Sequence, residues 1–138
     1  MKPKGFSLQI LPDRMAVCRL APRAPVPDWI EGSQFCSITR TDEALTVVGS
    51  EALVPTGTMS EPGWRCFKVQ GPLDFSEIGI IFSLTRPLAD SDISVFVIST
   101  FDTDFFMVKE TDLAKAIDAL STAGHRVVKE DGVLRSED

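Results

Sequence analysis

From residue 64 onward the chain alternates apolar segments of two different periods, and this alternation constrains the fold more than any other feature. Residues 64–70 (WRCFKVQ) alternate as in a strand, and Gly71 and Pro72 then interrupt the pattern. In residues 77–90 (EIGIIFSLTRPLAD) the apolar side chains recur at helical spacing. Ser76 stands directly before this segment and is a candidate N-cap. The sequence therefore predicts a strand, a break and a helix.

Two further strands, a second helix and a last strand are predicted after this helix. Residues 93–99 (ISVFVIS) are apolar on both faces, which is typical of a central strand, and residues 105–108 (FFMV) predict the next strand. Thr111 is the expected cap of a helix that Gly124 ends. Residues 125–130 (HRVVKE) predict a last, more exposed strand. The resulting order β-α-β-β-α-β predicts an α+β, ferredoxin-like unit with both helices on one face of a sheet.

The first half of the chain is less regular. Two strands are expected at residues 6–11 and 15–20, separated by a turn at Pro12, Asp13 and Arg14. A short helix is expected near residues 28–31. Two further strands are expected over residues 35–39 and 45–48.

An internal similarity suggests that one unit occurs twice. A shift of sixty residues places residues 38–53 (ITRTDEALTVVGSEAL) over residues 98–113 (ISTFDTDFFMVKETDL) without a gap. In this alignment Ala44 stands where Asp104 stands. If Asp104 has a chemical role, the first copy has lost it.

Composition excludes several function classes. The 138-residue chain has a formal net charge of -6 and no basic cluster, which argues against nucleic acid as a partner. Its N-terminus does not resemble a signal peptide and no apolar stretch is long enough for a bilayer, so a soluble cytoplasmic protein without membrane contact is expected. Cys18, Cys36 and Cys66 lie in apolar contexts and are expected to be buried, reduced thiols.

The candidates for catalysis are few. The single histidine, His125, follows the helix-ending Gly124, where a capping or solvated role is expected rather than a general base. Asp102 and Asp104 have the spacing of paired carboxylates and could hold a metal ion, yet carboxylates in a turn usually accept hydrogen bonds from nearby backbone N–H groups. An enzyme that uses these two residues is the weakest reading of the sequence.

A binding site is the better candidate. GPLDFSEIGI, residues 71–80, leads into a helix N-terminus, where free N–H groups and the helix dipole attract a carboxylate. Asp74 and Glu77 could hold a cation beside it. An α-amino acid carries both charges, so the site suits it. A capped helix with an ordinary turn is the alternative.

Several segments resemble the ACT-domain proteins, in particular the small bacterial tandem-ACT members of the subgroup that includes the CASTOR arginine sensors. They are GPLDFSEIGI, ISTFDTD with VKE, MAVCRLAPRAPVPDWI and FCSITRT. The resemblance covers nearly the whole chain. It implies two tandem ACT-like units packed side by side. By this resemblance residues 1–60 form a degenerate unit and residues 61–132 form an ACT domain. Residues 133–138 are expected to be a frayed tail.

The resemblance also implies a site at an interface between ACT units. The corresponding positions are Ser76, Glu77 and Ile80 from the loop and Thr100, Phe101, Thr103 and Asp104 from the turn. Glu77 and Asp104 would meet cationic groups of the ligand. Asp74 departs from the small residue expected there, so arginine as the ligand does not carry over.

The sequence thus predicts a non-catalytic regulatory or sensor protein that binds a small molecule, an amino acid, as a homodimer and without a cofactor. The alternative is a ligand-free protein-interaction module with the same fold.

Overall fold

A computed structural model describes residues 5–70 and 78–128 of the chain. The Cα positions divide it into two compact units, one formed by Met1–Pro12 with Arg65–Asp138 and the other by Asp13–Trp64. The expected assignment of residues 1–60 and 61–132 to two ACT-like units stays a prediction.

The described residues form seven strands, two α-helices and three short 3-10 helices. The strands are β1 Ser7–Leu20, β2 Ser37–Arg40, β3 Leu45–Ser50, β4 Ser60–Val69, β5 Phe96–Ser99, β6 Asp104–Lys109 and β7 Arg126–Val128. The α-helices are α1 Ile80–Asp90 and α2 Leu113–Thr122. The 3-10 helices are Asp28–Gly32, Glu51–Leu53 and Glu110–Asp112.

The larger unit has the order β4-α1-β5-β6-α2-β7 along the chain, which confirms the predicted βαββαβ arrangement and the α+β class. In its sheet the neighbours run β7, β1, β4, β6, β5, with β7 parallel to β1 and β5 antiparallel to β6. The first part of β1 therefore lies between β7 and β4. The first part of β1 thus belongs to the sheet of the larger unit.

Both helices cover the same face of this sheet. Leu84 of α1 and Leu120 of α2 belong to one buried cluster with Phe67 of β4 and Phe106 of β6. The rings of Phe67 and Phe106 stack with centroids 4.8 Å apart. Alternate residues of a strand point to one face, so the buried phenylalanines of neighbouring strands meet beneath the helices.

The smaller unit contains the antiparallel hairpin of β2 and β3, and β3 also pairs with the second part of β1. Its core includes Cys18, Ile30, Leu45 and Val47. The Asp28–Gly32 3-10 helix contributes Ile30 to this core, so the expected short helix is present.

Two strand predictions are wrong. No turn interrupts residues 12–14, because β1 is one strand of 14 residues. Pro12 fits there because it lies between the segment that pairs with β7 and the segment that pairs with β3, where its missing N–H breaks neither ladder. The run predicted as a central strand is shorter, and as β5 it pairs on the described part of the chain only with β6, at the end of the strand order.

Both predicted helix caps are also wrong. The N-cap of α1 is Gly79 and not Ser76, and the N-cap of α2 is Asp112 and not Thr111. Gly79 has φ of 80°, a left-handed conformation that suits glycine and allows the chain to enter the helix abruptly. Gly124 ends α2 as expected, with φ of 101°.

Burial agrees with the expectation for two of the three cysteines. Cys18 and Cys66 are buried free thiols, and burial raises the pKa of Cys66 to about 12. Cys36 is exposed, so the expectation of three buried thiols is wrong at this position. An apolar neighbourhood in the sequence does not determine which side of a short segment faces the core.

Candidate functional site and family membership

The turn between β5 and β6 is closed by its two threonines. The Thr100 N–H and hydroxyl both donate to the Thr103 carbonyl, at 2.9 Å and 2.7 Å. In return the Thr103 N–H donates to Thr100 Oγ1 at 3.2 Å. The buried Thr103 hydroxyl donates to the Val69 carbonyl of β4 at 2.6 Å. The threonines therefore fix this turn to the neighbouring strand, as side-chain bonds often do in polar turns.

The turn places its two carboxylates differently. Asp104 is the first residue of β6, pairs with Ser99 across the hairpin and is half-buried. Asp102 is at the exposed tip of the turn. Among the described residues, the Asp104 carboxylate has no hydrogen bond and no ion pair. A half-buried carboxylate on a fixed backbone can hold a cationic group of a ligand.

The other predicted site residues are distributed as follows. Phe101 is 80% exposed at the turn. Ile80, the first residue of α1, is buried and packs in the core. Asp74, Ser76 and Glu77 lie outside the described residues. The structure thus brings Thr100, Phe101, Thr103 and Asp104 together.

The hairpin of the smaller unit has the same turn but corrects the predicted alignment. The Thr41 hydroxyl accepts a hydrogen bond from the Ala44 N–H, and the Thr41 N–H donates to the Ala44 carbonyl. Thr100 makes the same two hydrogen bonds with Thr103. The strand registers agree, since Arg40 pairs with Leu45 and Ser99 pairs with Asp104. The hairpins therefore match with a shift of 59 residues rather than sixty. Ala44 corresponds to Thr103, and a fully buried leucine corresponds to Asp104.

His125 connects β1 to α1, and the sequence analysis missed this role. Its Nδ1 accepts the Phe6 N–H at 3.1 Å, and Nε2 lies 3.1 Å from the Ser83 carbonyl, to which it donates. In a regular helix the Ser83 carbonyl would accept the N–H of residue 87, but that residue is Pro87 and has none. The imidazole replaces the missing donor. The sequence shows a proline inside a helical pattern and a single histidine, but it does not show that the two lie side by side.

Two effects oppose each other on the pKa of His125. Burial lowers this pKa, and the hydrogen bond to the Ser83 carbonyl partly counteracts the shift. The neutral imidazole fits the contacts, because Nδ1 must stay unprotonated to accept the Phe6 N–H. His125 is therefore a structural residue with both nitrogens engaged and not a general base.

A pocket of about 430 Å³ opens beside His125 in the larger unit. Phe6, Phe82 and Pro87 form its apolar lining, and Arg86 and Asp90 lie at the same site. The sequence analysis did not identify this pocket. Within the described residues, no group of three His, Cys, Asp or Glu side chains is arranged to hold a metal ion.

Comparisons with known proteins agree with this architecture. A family model described as the ACT domain matches residues 59–122, and a model of an N-terminal domain matches residues 13–57. The crystal structure of protein Atu0741 from Agrobacterium tumefaciens is 41% identical to the chain, with a TM-score of 0.88 over 93% of this chain and 96% of that one. The chain belongs to the ACT-domain family.

Two further proteins are similar to this ACT-domain protein. The human cytosolic arginine sensor for mTORC1 subunit 1 is 41% identical over 92 residues, which are 66% of this chain. The chain spans only 27% of the length of that relative. The regulatory subunit of aspartate kinase from Thermus thermophilus is 11% identical with a TM-score of 0.55, over 81% of this chain and 93% of that one, and shows the fold alone. Among the described helices, none combines the length and hydrophobicity that crossing a membrane requires.

Proposed function

We propose that this ACT-domain protein is a non-catalytic regulatory or sensor protein that binds an amino acid. The ligand lies at an interface between ACT units of a homodimer, and it is held by the β5–β6 turn together with the loop before α1. The relative whose name is cytosolic arginine sensor supports both the ligand class and a cytoplasmic location.

The observation that carries the proposal is the Asp104 carboxylate. It is half-buried, it has no partner among the described residues, and its backbone is held by the threonine bonds of the turn. Leaving a carboxylate partly desolvated without a partner costs free energy, and a ligand ammonium or guanidinium group would offset that cost. Glu77 and the loop N–H groups supply the remaining charges in this proposal.

The first experiment is a thermal-shift screen against the proteinogenic amino acids at millimolar concentration. A ligand at a hundredfold excess over its Kd stabilises the folded state by about 2.7 kcal/mol, which shifts the melting temperature of a domain of this size by several degrees. We expect a selective hit. A screen without any shift on a well-folded protein would contradict amino-acid binding.

Asp102 offers a matched control for this screen. Asp104→Asn removes the proposed ligand contact and keeps the shape of the side chain, so the shift should disappear. Asp102→Asn removes a carboxylate two residues away at the exposed tip of the same turn and should leave the shift unchanged. If both variants respond alike, the effect comes from the general charge of the turn and not from a specific contact.

A second candidate function rests on the exposed side chains of the turn and of the β5 edge. Phe101 is 80% exposed and Val97 is 39% exposed. An apolar edge of this kind can bind another protein without any small ligand. A thermal-shift screen in which no amino acid shifts the melting temperature would favour this interaction module. If the unchanged protein captures a partner protein, loss of that partner in a Phe101→Ser variant would support it.

A further inference from the structure

The pocket beside His125 continues along the outer surface of the two helices. A second cavity of about 420 Å³ lies next to it, and the two share the lining residues Pro87, Asp90 and Ala123. The other lining residues of the second cavity belong to the end of α1 and to α2. Together the two cavities form one elongated depression, which we call the α1–α2 groove. A compact metabolite would fill one end of such a groove, whereas an extended chain can occupy its whole length.

The apolar end of the groove has walls that contacts within the protein hold in place. The rings of His125 and Phe6 stack with centroids 5.8 Å apart, and both imidazole nitrogens are hydrogen-bonded. Phe82 and Ile78 also line this end, although 64% and 94% of their surfaces are exposed. Large apolar side chains beside a fixed concave surface gain free energy when an apolar group covers them. This end therefore suits one large apolar side chain, the kind of group that anchors a protein interface.

A hydrogen-bond donor and an acceptor lie beside the apolar end. Arg86 Nε donates to Asp90 Oδ2 at 3.1 Å, and the two side chains are 61% and 64% exposed. The guanidinium keeps further N–H donors, and the carboxylate keeps a second oxygen as an acceptor. The pair is neutral as a whole, so a ligand with a single net charge meets one repulsive group for each attractive group. A peptide backbone offers a carbonyl and an N–H without net charge and therefore complements the pair.

We propose that the α1–α2 groove binds an extended segment of a partner protein that carries a large apolar side chain. This side chain lies between Phe82 and the stacked rings of Phe6 and His125. The Arg86 guanidinium donates to a backbone carbonyl of the segment, and the Asp90 carboxylate accepts a backbone N–H. The rest of the segment runs between α1 and α2. The described lining includes no residue of the β5–β6 turn, so this interaction is independent of the functions proposed for the turn.

The first test titrates the full chain with uncharged probes that have a peptide group on each side of one side chain. They are N-acetyl-L-phenylalaninamide and N-acetyl-L-alaninamide, and NMR chemical shifts report where and how tightly they bind. We expect the phenylalanine probe to bind at the groove about tenfold more tightly than the alanine probe, because only its phenyl ring fills the apolar end. Equal affinity of the two probes, or no binding of the phenylalanine probe, would overturn the proposal.

Free L-phenylalanine is the comparison for the peptide backbone. It has the same side chain, but an ammonium group and a carboxylate replace the two peptide groups. We expect the blocked amide to bind at the groove at least as tightly as the free amino acid. Tighter binding of the free amino acid at the groove would show that the site recognises those two charges, and the peptide proposal would be wrong.

Two alanine variants locate the site. Ala123→Leu places a larger side chain in the groove, at an exposed position with φ of -80°, and should weaken binding of the phenylalanine probe about tenfold. Ala89→Leu makes the same change at an exposed position of α1 that is not among the lining residues, and should leave the affinity unchanged. Equal effects of the two variants would mean that the probe does not occupy the groove.

A second copy of the chain is the competing occupant, because Phe101 is 80% exposed and could enter the groove of another molecule. Sedimentation velocity without a probe tests this alternative. We expect Ala123→Leu and Phe101→Ser to sediment like the unchanged protein. Loss of the same oligomer in both variants would assign the groove to a second copy and overturn the proposal.

Asp104→Asn separates the groove from the proposed amino-acid site. The affinity for N-acetyl-L-phenylalaninamide should not change in this variant. If the probe is lost with Asp104→Asn and retained with Ala123→Leu, it binds at the β5–β6 turn, and the groove proposal is wrong while the sensor proposal stands. If the probe is lost with Ala123→Leu alone, the groove proposal holds whatever the amino-acid screen gives for the turn.

Discussion

At the scale of single residues, Gly79 occupies a position at which the backbone conformation, and not the space for a side chain, favours glycine. A Cβ atom added there would have no atom of the described residues within 4 Å, yet φ is 80°. Gly79→Ala should therefore lower the free energy of unfolding by about 1–2 kcal/mol, the cost of a left-handed L-residue. Urea unfolding measures this change. Gly79→Asn is the control and should cost less, because asparagine adopts this region more readily. A larger loss for Asn than for Ala would contradict the conformational explanation.

Thr103 is the residue whose hydroxyl holds the β5–β6 turn to β4. Thr103→Val keeps the shape but leaves the Val69 carbonyl without this donor, at a cost of about 1–3 kcal/mol. Thr103→Ser keeps the hydroxyl and should cost less than the valine variant. We also expect amino-acid binding to weaken in Thr103→Val, because Asp104 follows directly in the chain. Equal stability of the two variants in urea unfolding would mean that the hydrogen bond does not hold the turn.

At the scale of secondary-structure elements, α1 lacks one backbone hydrogen bond at Pro87, and His125, directly before β7, replaces it. His125→Leu should destabilise the protein by about 2–4 kcal/mol, because two backbone groups, the Phe6 N–H and the Ser83 carbonyl, lose their partner. Pro87→Ala restores an N–H that can donate to the Ser83 carbonyl.

A double-mutant cycle isolates this repair. Pro87→Ala should be more stabilising by about 1 kcal/mol in the His125→Leu background than in the unchanged protein. Equilibrium unfolding of the four proteins gives the coupling, and the gain in helix propensity cancels in the cycle. Additive effects would show that the histidine does not act through the orphaned carbonyl.

The same elements show how far sequence reasoning reaches. The order of β4, α1, β5, β6, α2 and β7 follows from periodicity, because strand and helix patterns differ in period. The continuity of β1 through Pro12 could not be predicted, since it depends on which strands pair with each part of β1. The caps failed for a related reason. Ser76 and Thr111 are good capping residues, but a helix begins where its packing against the sheet begins.

In the candidate site, too, some features follow from the sequence and others depend on how distant segments pack. The family resemblance pointed to Asp104 and the threonines of its turn, and the structure shows how these threonines close the turn, while their role in ligand binding stays a prediction. The correspondence between the two hairpins was misplaced by one residue, because sequence identity over a short segment does not define strand register. The bond from His125 to Ser83 was not predictable in the same way. It joins residues 42 positions apart and depends on where β7 lies relative to α1.

At the scale of the whole molecule, the single histidine should determine how stability depends on pH in the neutral range. The unfolded chain protonates His125 near its ordinary pKa of 6.5, whereas burial lowers the pKa in the folded protein. Above about pH 6.5 both states hold the neutral ring and the stability contribution is complete. As pH falls below that value the unfolded state binds the proton first, so the free energy of unfolding decreases until the folded pKa is reached.

Urea unfolding at about pH 8 and about pH 5 measures this loss, with His125→Leu as the reference that cannot titrate at this position. The unchanged protein should lose more stability between the two values than the variant loses, because the carboxylates contribute equally to both. The excess loss reflects how far the pKa of the folded imidazole lies below that of the unfolded chain. A smaller loss in the unchanged protein would mean that the folded state binds the proton more tightly than the unfolded chain. Nδ1 would then carry a proton in the folded protein, and the bond that joins Phe6 to His125 would have to be formed differently.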